Sequence, residues 1–127
     1  MREADSLLRV YLCCFRFNED FVVEGPWLMY KDGHYFLFYS AGNYKKPTYR
    51  KMVARSDDVL GPYIKGEVPV VETDWESYDQ GLNTTWEGPG HGSVLVDKAG
   101  DWWLVYHSWR SCLNIQSLRH LKILKEK

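Results

Sequence analysis

Two residues carry surroundings that suit chemistry. Glu24 lies in Val22-Val23-Glu24-Gly25-Pro26-Trp27, after two β-branched residues and before a Gly-Pro turn beside a tryptophan. Partial burial at such a strand end would raise a carboxyl pKa by desolvation, as a general acid working near neutral pH requires. His91 lies in Gly88-Pro89-Gly90-His91-Gly92-Ser93, where three glycines let the backbone approach a neighbour closely and leave the imidazole little adjoining bulk. Each has a plainer alternative: a glutamate bonded to backbone at a strand end, and a hydrogen-bonded structural histidine. His107, inside Tyr106-His107-Ser108, and His34, in a hairpin, read as structural or exposed.

Other chemistries lack their residues. There is no Ser-His-Asp arrangement, phosphate loop, Cys-rich zinc site or dinucleotide fingerprint. Sixteen Lys and Arg against 17 Asp and Glu give a net charge of −1. Without a basic block there is no positive field to hold nucleic acid or an anionic membrane surface, so neither is expected as a partner. No apolar run approaches the roughly 20 residues that span a bilayer. Cys13, Cys14 and Cys112 are odd in number, lack metal-ligand spacing and read as free thiols. The apolar stretch from Leu7 to Phe15 is interrupted by Arg9 and preceded by Glu3 and Asp5, which makes a poor signal peptide. Asn83-Thr84-Thr85 is a glycosylation sequon, meaningful only on the secretory route.

The elements that must position Glu24 and His91 read as strands and turns. Trp27 to Tyr30, Lys31-Asp32-Gly33 and His34 to Ser40 form a hairpin signal with Asp-Gly turn chemistry. Tyr35-Phe36-Leu37-Phe38-Tyr39 does not alternate, so both its faces should be covered, as where sheet stacks on sheet. Lys51 to Ser56 alternates as a half-buried strand, Glu72 to Glu87 reads as a long surface loop, and Ser93 to Ser108 forms a second hairpin around Lys98-Ala99-Gly100.

The two hairpins are copies of one design. Gly33, Tyr35, Phe36, Leu37 and Tyr39 match Gly100, Trp102, Trp103, Leu104 and Tyr106 at a constant offset of 67, and at that offset Glu24-Gly25 falls on His91-Gly92. A repeated strand-turn-aromatic-strand unit suggests blades of a β-propeller, an all-β fold in which equivalent positions lie at one height around the axis. Glu24 and His91 would then converge, each just before a blade's inner strand. With 6 Trp, 9 Tyr and 5 Phe, most hairpin rings should be core. Loop rings such as Tyr44, Tyr49, Trp75 and Trp86 cannot all be, and rings on a rim suit stacking against sugar C–H faces.

The ordered set of motifs resembles family 43 of the glycoside hydrolases, closest to its arabinanase, arabinofuranosidase and β-xylosidase members. The likeness rests on Val23-Glu24-Gly25-Pro26-Trp27-Leu28, Gly33 to Ser40, Val53-Ala54-Arg55-Ser56 with Leu60-Gly61-Pro62-Tyr63, Gly88 to Ser93, and Trp102 to His107. It covers about residues 22–109, leaving a leader over 1–21 and a basic tail over 110–127, for which a helix is one reading.

The resemblance implies part of a five-bladed β-propeller, about two blades of antiparallel sheet, from an enzyme that hydrolyses arabinose- or xylose-containing plant-type polysaccharides with inversion. Glu24 then matches the general acid, and His91 matches a channel histidine that helps hold a calcium ion, mostly through water. Beside these, Trp27, Tyr44 and Trp86 are the rings expected to meet substrate. Full-length members are often secreted. The family's base, an aspartate of the first blade, and a second aspartate that tunes the acid have no counterpart, and Asp5 and Asp20 lie where the likeness fails. The substrate-contacting arginine beyond the histidine motif is also missing. Two blades of five expose edge strands and apolar faces, so a partial product is expected. Three outcomes follow for the 127 residues: a hydrolase completed by other sequence, a sugar-binding remnant without turnover, or an inactive truncated propeller.

Overall fold

The computed structural model describes residues 22–82 and 85–110 in full, and the strand Ile115–Ile123 as backbone. The described chain is all-β apart from one helical turn. The first sheet runs β1 (Val23–Lys31), β2 (His34–Ala41), β3 (Arg50–Ser56) and β4 (Ile64–Lys65) in sequential order. After α1 (Trp75–Asp79), the second sheet runs β5 (Trp86–Val96), β6 (Trp102–Arg110) and β7 (Ile115–Ile123). Every neighbouring pair is antiparallel. No described helix is long and apolar enough to cross a membrane.

Local chemistry explains the hairpins. Asp32 and Gly33 both take positive φ, 51° and 84°, the pair of left-handed residues that a two-residue turn between right-twisted strands requires. In the second hairpin the Asp97 carboxylate accepts the N–H groups of Ala99 and Asp101 and the Trp103 indole N–H, tying the turn to the strand it feeds.

As its unbroken apolar run predicts, β2 is buried on both faces. Leu37, Tyr39 and Ala41 pack with Met52, Ala54 and Tyr63 on one side. On the other, Phe38 packs with Val94 and Leu104 of the second sheet, and Phe36 meets Trp102 edge to face at 5.6 Å. This second face is the seam between the sheets. Of the hairpin aromatics, Phe38 and Tyr39 are buried and Tyr35, Phe36, Trp102 and Tyr106 pack partly buried against the core, whereas Trp27 and Tyr30 are exposed.

Three expectations change. The segment read as a loop from Glu72 to Glu87 contains α1, started by Asp74, whose carboxylate accepts the Ser77 N–H and hydroxyl; a capping aspartate followed by Glu76 in the first turn was the signal. The second hairpin's first strand begins at Trp86, not Ser93. The tail open to a helical reading supplies β7 along the outer edge of β6. Ile115, Leu118 and Leu121 are three apart, a spacing that fits a helix. Pairing with an otherwise open strand edge overrides it. At the repeat offset β7 stands where β3 stands in the first sheet.

Candidate functional site

The site follows from register. In the first sheet Glu24 pairs with Ser40 and Ser40 with Lys51, so the three form one row across β1, β2 and β3. Directly paired residues point to the same face. Here that face is the seam, opposite the glycine-rich start of β5.

Bulges bring the two key residues together. The β1–β2 register shifts between Glu24 and Trp27, and the β5–β6 register shifts on both sides of Gly90. Gly25 and His91 take φ of 58° and 45°, so both strands bend at places one residue apart in the repeat. As a result His91 Nδ1 lies 3.9 Å from Glu24 Oε1. The convergence read from the repeat is thus present, although both residues stand inside strands at bulges rather than before them. The Glu24 side chain is 37% exposed and the His91 side chain 58%, so both face a reachable opening.

His91 lines a cleft of about 310 Å³ between β1 and the β5–β6 hairpin, together with Pro26, Trp27, Ser93, Tyr106 and His107; Glu24 is not in the lining and adjoins it through Gly25, which is. A second cleft, of about 170 Å³, adjoins Trp86, Pro89 and Ser108 and shares Tyr106 with the first. Of the rings expected to meet substrate, Trp27 lines the main cleft and Trp86 the second one. Tyr44 is exposed in the β2–β3 connection, outside both linings; its carbonyl accepts the Trp109 indole N–H. Trp86 carries the Arg110 guanidinium at 5.6 Å over its ring. The expected trio of rings is dispersed.

Behind Glu24 stands a residue misplaced by the sequence reading. Tyr49, grouped there with loop rings on a rim, is fully buried, and its hydroxyl donates a 2.8 Å hydrogen bond to Glu24 Oε1. Burial raises the phenol pKa, and the hydrogen bond from the phenol to Glu24 and the charge of that carboxylate add to the rise, against a lowering hydrogen bond from Ser40. The Ser40 hydroxyl also accepts the backbone N–H of His91 at 2.7 Å. Two described hydrogen bonds therefore hold the site from behind, Tyr49 to the Glu24 carboxylate and the His91 amide to Ser40. The glycine at 90 serves this ring: a Cβ there would lie 2.1 Å from Tyr49 Cε1.

His107, expected to be structural or exposed, adjoins the site. Its ring stacks between Tyr49 at 6.1 Å and His91 at 6.2 Å. Burial first, and then the neighbouring His91, hold its pKa below the usual histidine value. His34, by contrast, sits at the surface against Asp57, its Nδ1 2.6 Å from the carboxylate. Chain position concealed both Tyr49 and His107. Each contacts the site through a partner at least 16 residues away in the sequence.

Among the described residues no three His, Cys, Asp or Glu side chains gather as metal ligands. Calcium takes six to eight oxygen ligands. One imidazole beside one carboxylate does not form that shell. Asp5, Asp20, the three cysteines and Asn83 lie outside the described residues.

Against known proteins the chain matches the glycosyl hydrolases family 43 over residues 7–125, running past residues 22–109 on both sides. It is 35% identical over 88 residues to an extracellular endo-alpha-(1->5)-L-arabinanase of Thermotoga petrophila, covering 61% of this chain and 18% of that protein. It is 32% identical over 105 residues to an extracellular exo-alpha-(1->5)-L-arabinofuranosidase of Cellvibrio japonicus, covering 80% of this chain and 29% of that one. A crystal structure of a thermostable family-43 glycoside hydrolase superposes with a TM-score of 0.68 at 28% identity, over 83% of this chain and 33% of that chain. The chain thus spans less than a third of these two curated relatives. With the match running over nearly its whole length, the chain belongs to family 43 of the glycosyl hydrolases.

Proposed function

We propose that the chain forms the acid-bearing part of a glycoside hydrolase that cleaves arabinan- or xylan-type polysaccharides, with Glu24 as the general acid. The observation that carries this is the placement of Glu24 beside the cleft, its carboxylate held by Tyr49 at 2.8 Å with His91 at 3.9 Å. The arabinanase and arabinofuranosidase names of the relatives point the substrate class to arabinose-containing chains. Both are named extracellular, so the complete protein is proposed to be secreted.

In the proposed reaction the protonated Glu24 carboxyl gives its proton to the glycosidic oxygen as the bond to the anomeric carbon breaks. A water, losing its proton to a second carboxylate, attacks that carbon from the opposite face, and the configuration inverts. Inverting pairs are separated by about 6.5–9.5 Å to make room for the water. The base belongs to sequence outside the described residues. The two sheets then correspond to two blades of a five-bladed propeller, a reading supported by the repeat at offset 67 and by the superposition.

Trp27, lining the cleft, is the ring proposed to stack on the sugar. His91 contributes a polar donor or acceptor at the same mouth. A calcium ion at His91 would take the rest of its shell from water and from residues outside the described set.

The second reading, glycan binding without turnover, is supported by Trp27 and His91 in the cleft lining. One experiment separates the two: release of reducing sugar from arabinan and arabinoxylan by the purified chain, beside its Glu24→Gln variant. Turnover in the parent and none in the variant supports the acid assignment. Equal turnover in both refutes it, and absence of turnover with retained binding establishes the second reading for these 127 residues.

A further inference from the structure

Lys51 is an unusual occupant of the seam. Its side chain is completely buried at the second position of β3, where an apolar residue would fill the same space without taking a charge out of water. Burying an ammonium costs several kcal/mol unless its protons find acceptors. Two acceptors are described, and both are backbone carbonyls: Gly25 O at 3.1 Å and Gly92 O at 3.0 Å.

Those carbonyls have a specific address. Gly25 follows Glu24 and Gly92 follows His91, and the two glycines are equivalent at the repeat offset of 67. Each lies inside a register shift, between Glu24 and Trp27 in one strand and between Gly90 and Ser93 in the other. A bulge leaves a backbone group without its ladder partner. One cation therefore satisfies the matching carbonyls of both bulges, from a strand position that pairs with Ser40 in the Glu24 row.

We propose that Lys51 is a positioning residue, whose ammonium sets the spacing between the Glu24 carboxylate and the His91 imidazole by tying together the carbonyls that follow them. The proposal rests on the reading that these two residues form the site. It explains why a lysine, rather than an apolar residue of similar volume, stands in the seam. Ser40 and Tyr49 act on the same pair through side chains; Lys51 acts on the backbone.

The test is NMR on the full 127-residue chain, wild type and Lys51→Met. In the wild type, NOEs are expected from the Lys51 ε-methylene to both the Gly25 and the Gly92 segments. In Lys51→Met, the carbonyl carbons of Gly25 and Gly92 should shift together while those of Gly33 and Gly100, in the hairpin turns, stay in place. The NOE between the His91 ring and Gly25 should lose at least half its intensity. Lys51→Arg, which keeps cationic donors, should restore part of it. Carbonyls that do not move, or an undiminished His91–Gly25 NOE, would overturn the proposal. Should Lys51→Met fail to fold, the wild-type NOEs decide: contacts to both segments support the clamp, and contacts to one or neither overturn it. None of these readouts uses turnover, so a chain that cleaves nothing leaves the result intact, and a negative result leaves the hydrolase reading standing.

Discussion

The hydroxyl of Tyr49 donates to Oε1 of Glu24 at 2.8 Å, joining residues 25 apart in the chain across the width of the first sheet. It makes the carboxylate part of a fixed network rather than a mobile surface group. Tyr49→Phe removes the donor and leaves Glu24 Oε1 without it. Because Glu24 is partly exposed, the expected loss is about 1–2 kcal/mol of unfolding free energy, read by urea denaturation.

Gly90→Ala should act through the same ring. A methyl group 2.1 Å from Tyr49 Cε1 must displace the phenol or the strand. Overpacking of this kind costs about 1–3 kcal/mol. Introduced together with Tyr49→Phe, the two losses should add to less than their sum, because each disrupts one contact set. Full additivity in the double-mutant cycle would contradict the coupling.

The pH dependence of stability has a definite sign. Burial pushes the Lys51 ammonium down to about 8, whereas the unfolded side chain titrates near 10.5. Below pH 8 both states carry the proton and the contribution is flat and unfavourable. Between pH 8 and 10.5 the unfolded state holds the extra proton, so stability rises with pH. The rise is at most about 3 kcal/mol, since the two accepting carbonyls favour the charged form. Tyr49 works the other way: its raised pKa keeps the native phenol protonated where the unfolded one ionises, so stability falls above about pH 10. Urea midpoints from pH 7 to 11 should peak in wild type and lose their rising limb in Lys51→Met.

Ring substitutions should separate the cleft from the rest of the surface. Trp27→Ala is expected to weaken arabino-oligosaccharide binding roughly tenfold, the effect of losing about 1.4 kcal/mol of stacking and burial. Tyr44→Ala should leave the dissociation constant within about twofold, since that ring lies outside the cleft lining. Titration calorimetry reads both.

Much of this was legible in the residues. The Asp32-Gly33 turn, the two-faced β2 and the repeat that aligns Glu24 with His91 all rest on short-range chemistry or on periodicity. What was hidden lies in tertiary pairing. Nothing local distinguishes Tyr49 from Tyr44; only the pairing of β3 with β2 sets its neighbour Lys51 in the Glu24 row, and only the close approach of Gly90 seals the phenol over. Lys51 itself opened a half-buried strand in the sequence reading, and its burial depends on two bulges in other strands. The helical reading open for the tail failed because a three-residue apolar spacing cannot report a vacant strand edge.

On the proposed reading, glycan is held in the cleft between the two repeats, lined by His91 and adjoining Glu24. The most direct measurement is an amide and indole NMR titration of the chain with a linear arabino-oligosaccharide. The resonances of Gly25, His91, Gly92, Ser93 and the Trp27 indole are expected to move together along one binding curve, while Tyr44 and the Trp75 indole stay in place. Perturbations centred on Tyr44 or Trp75, with the cleft residues unmoved, would contradict it.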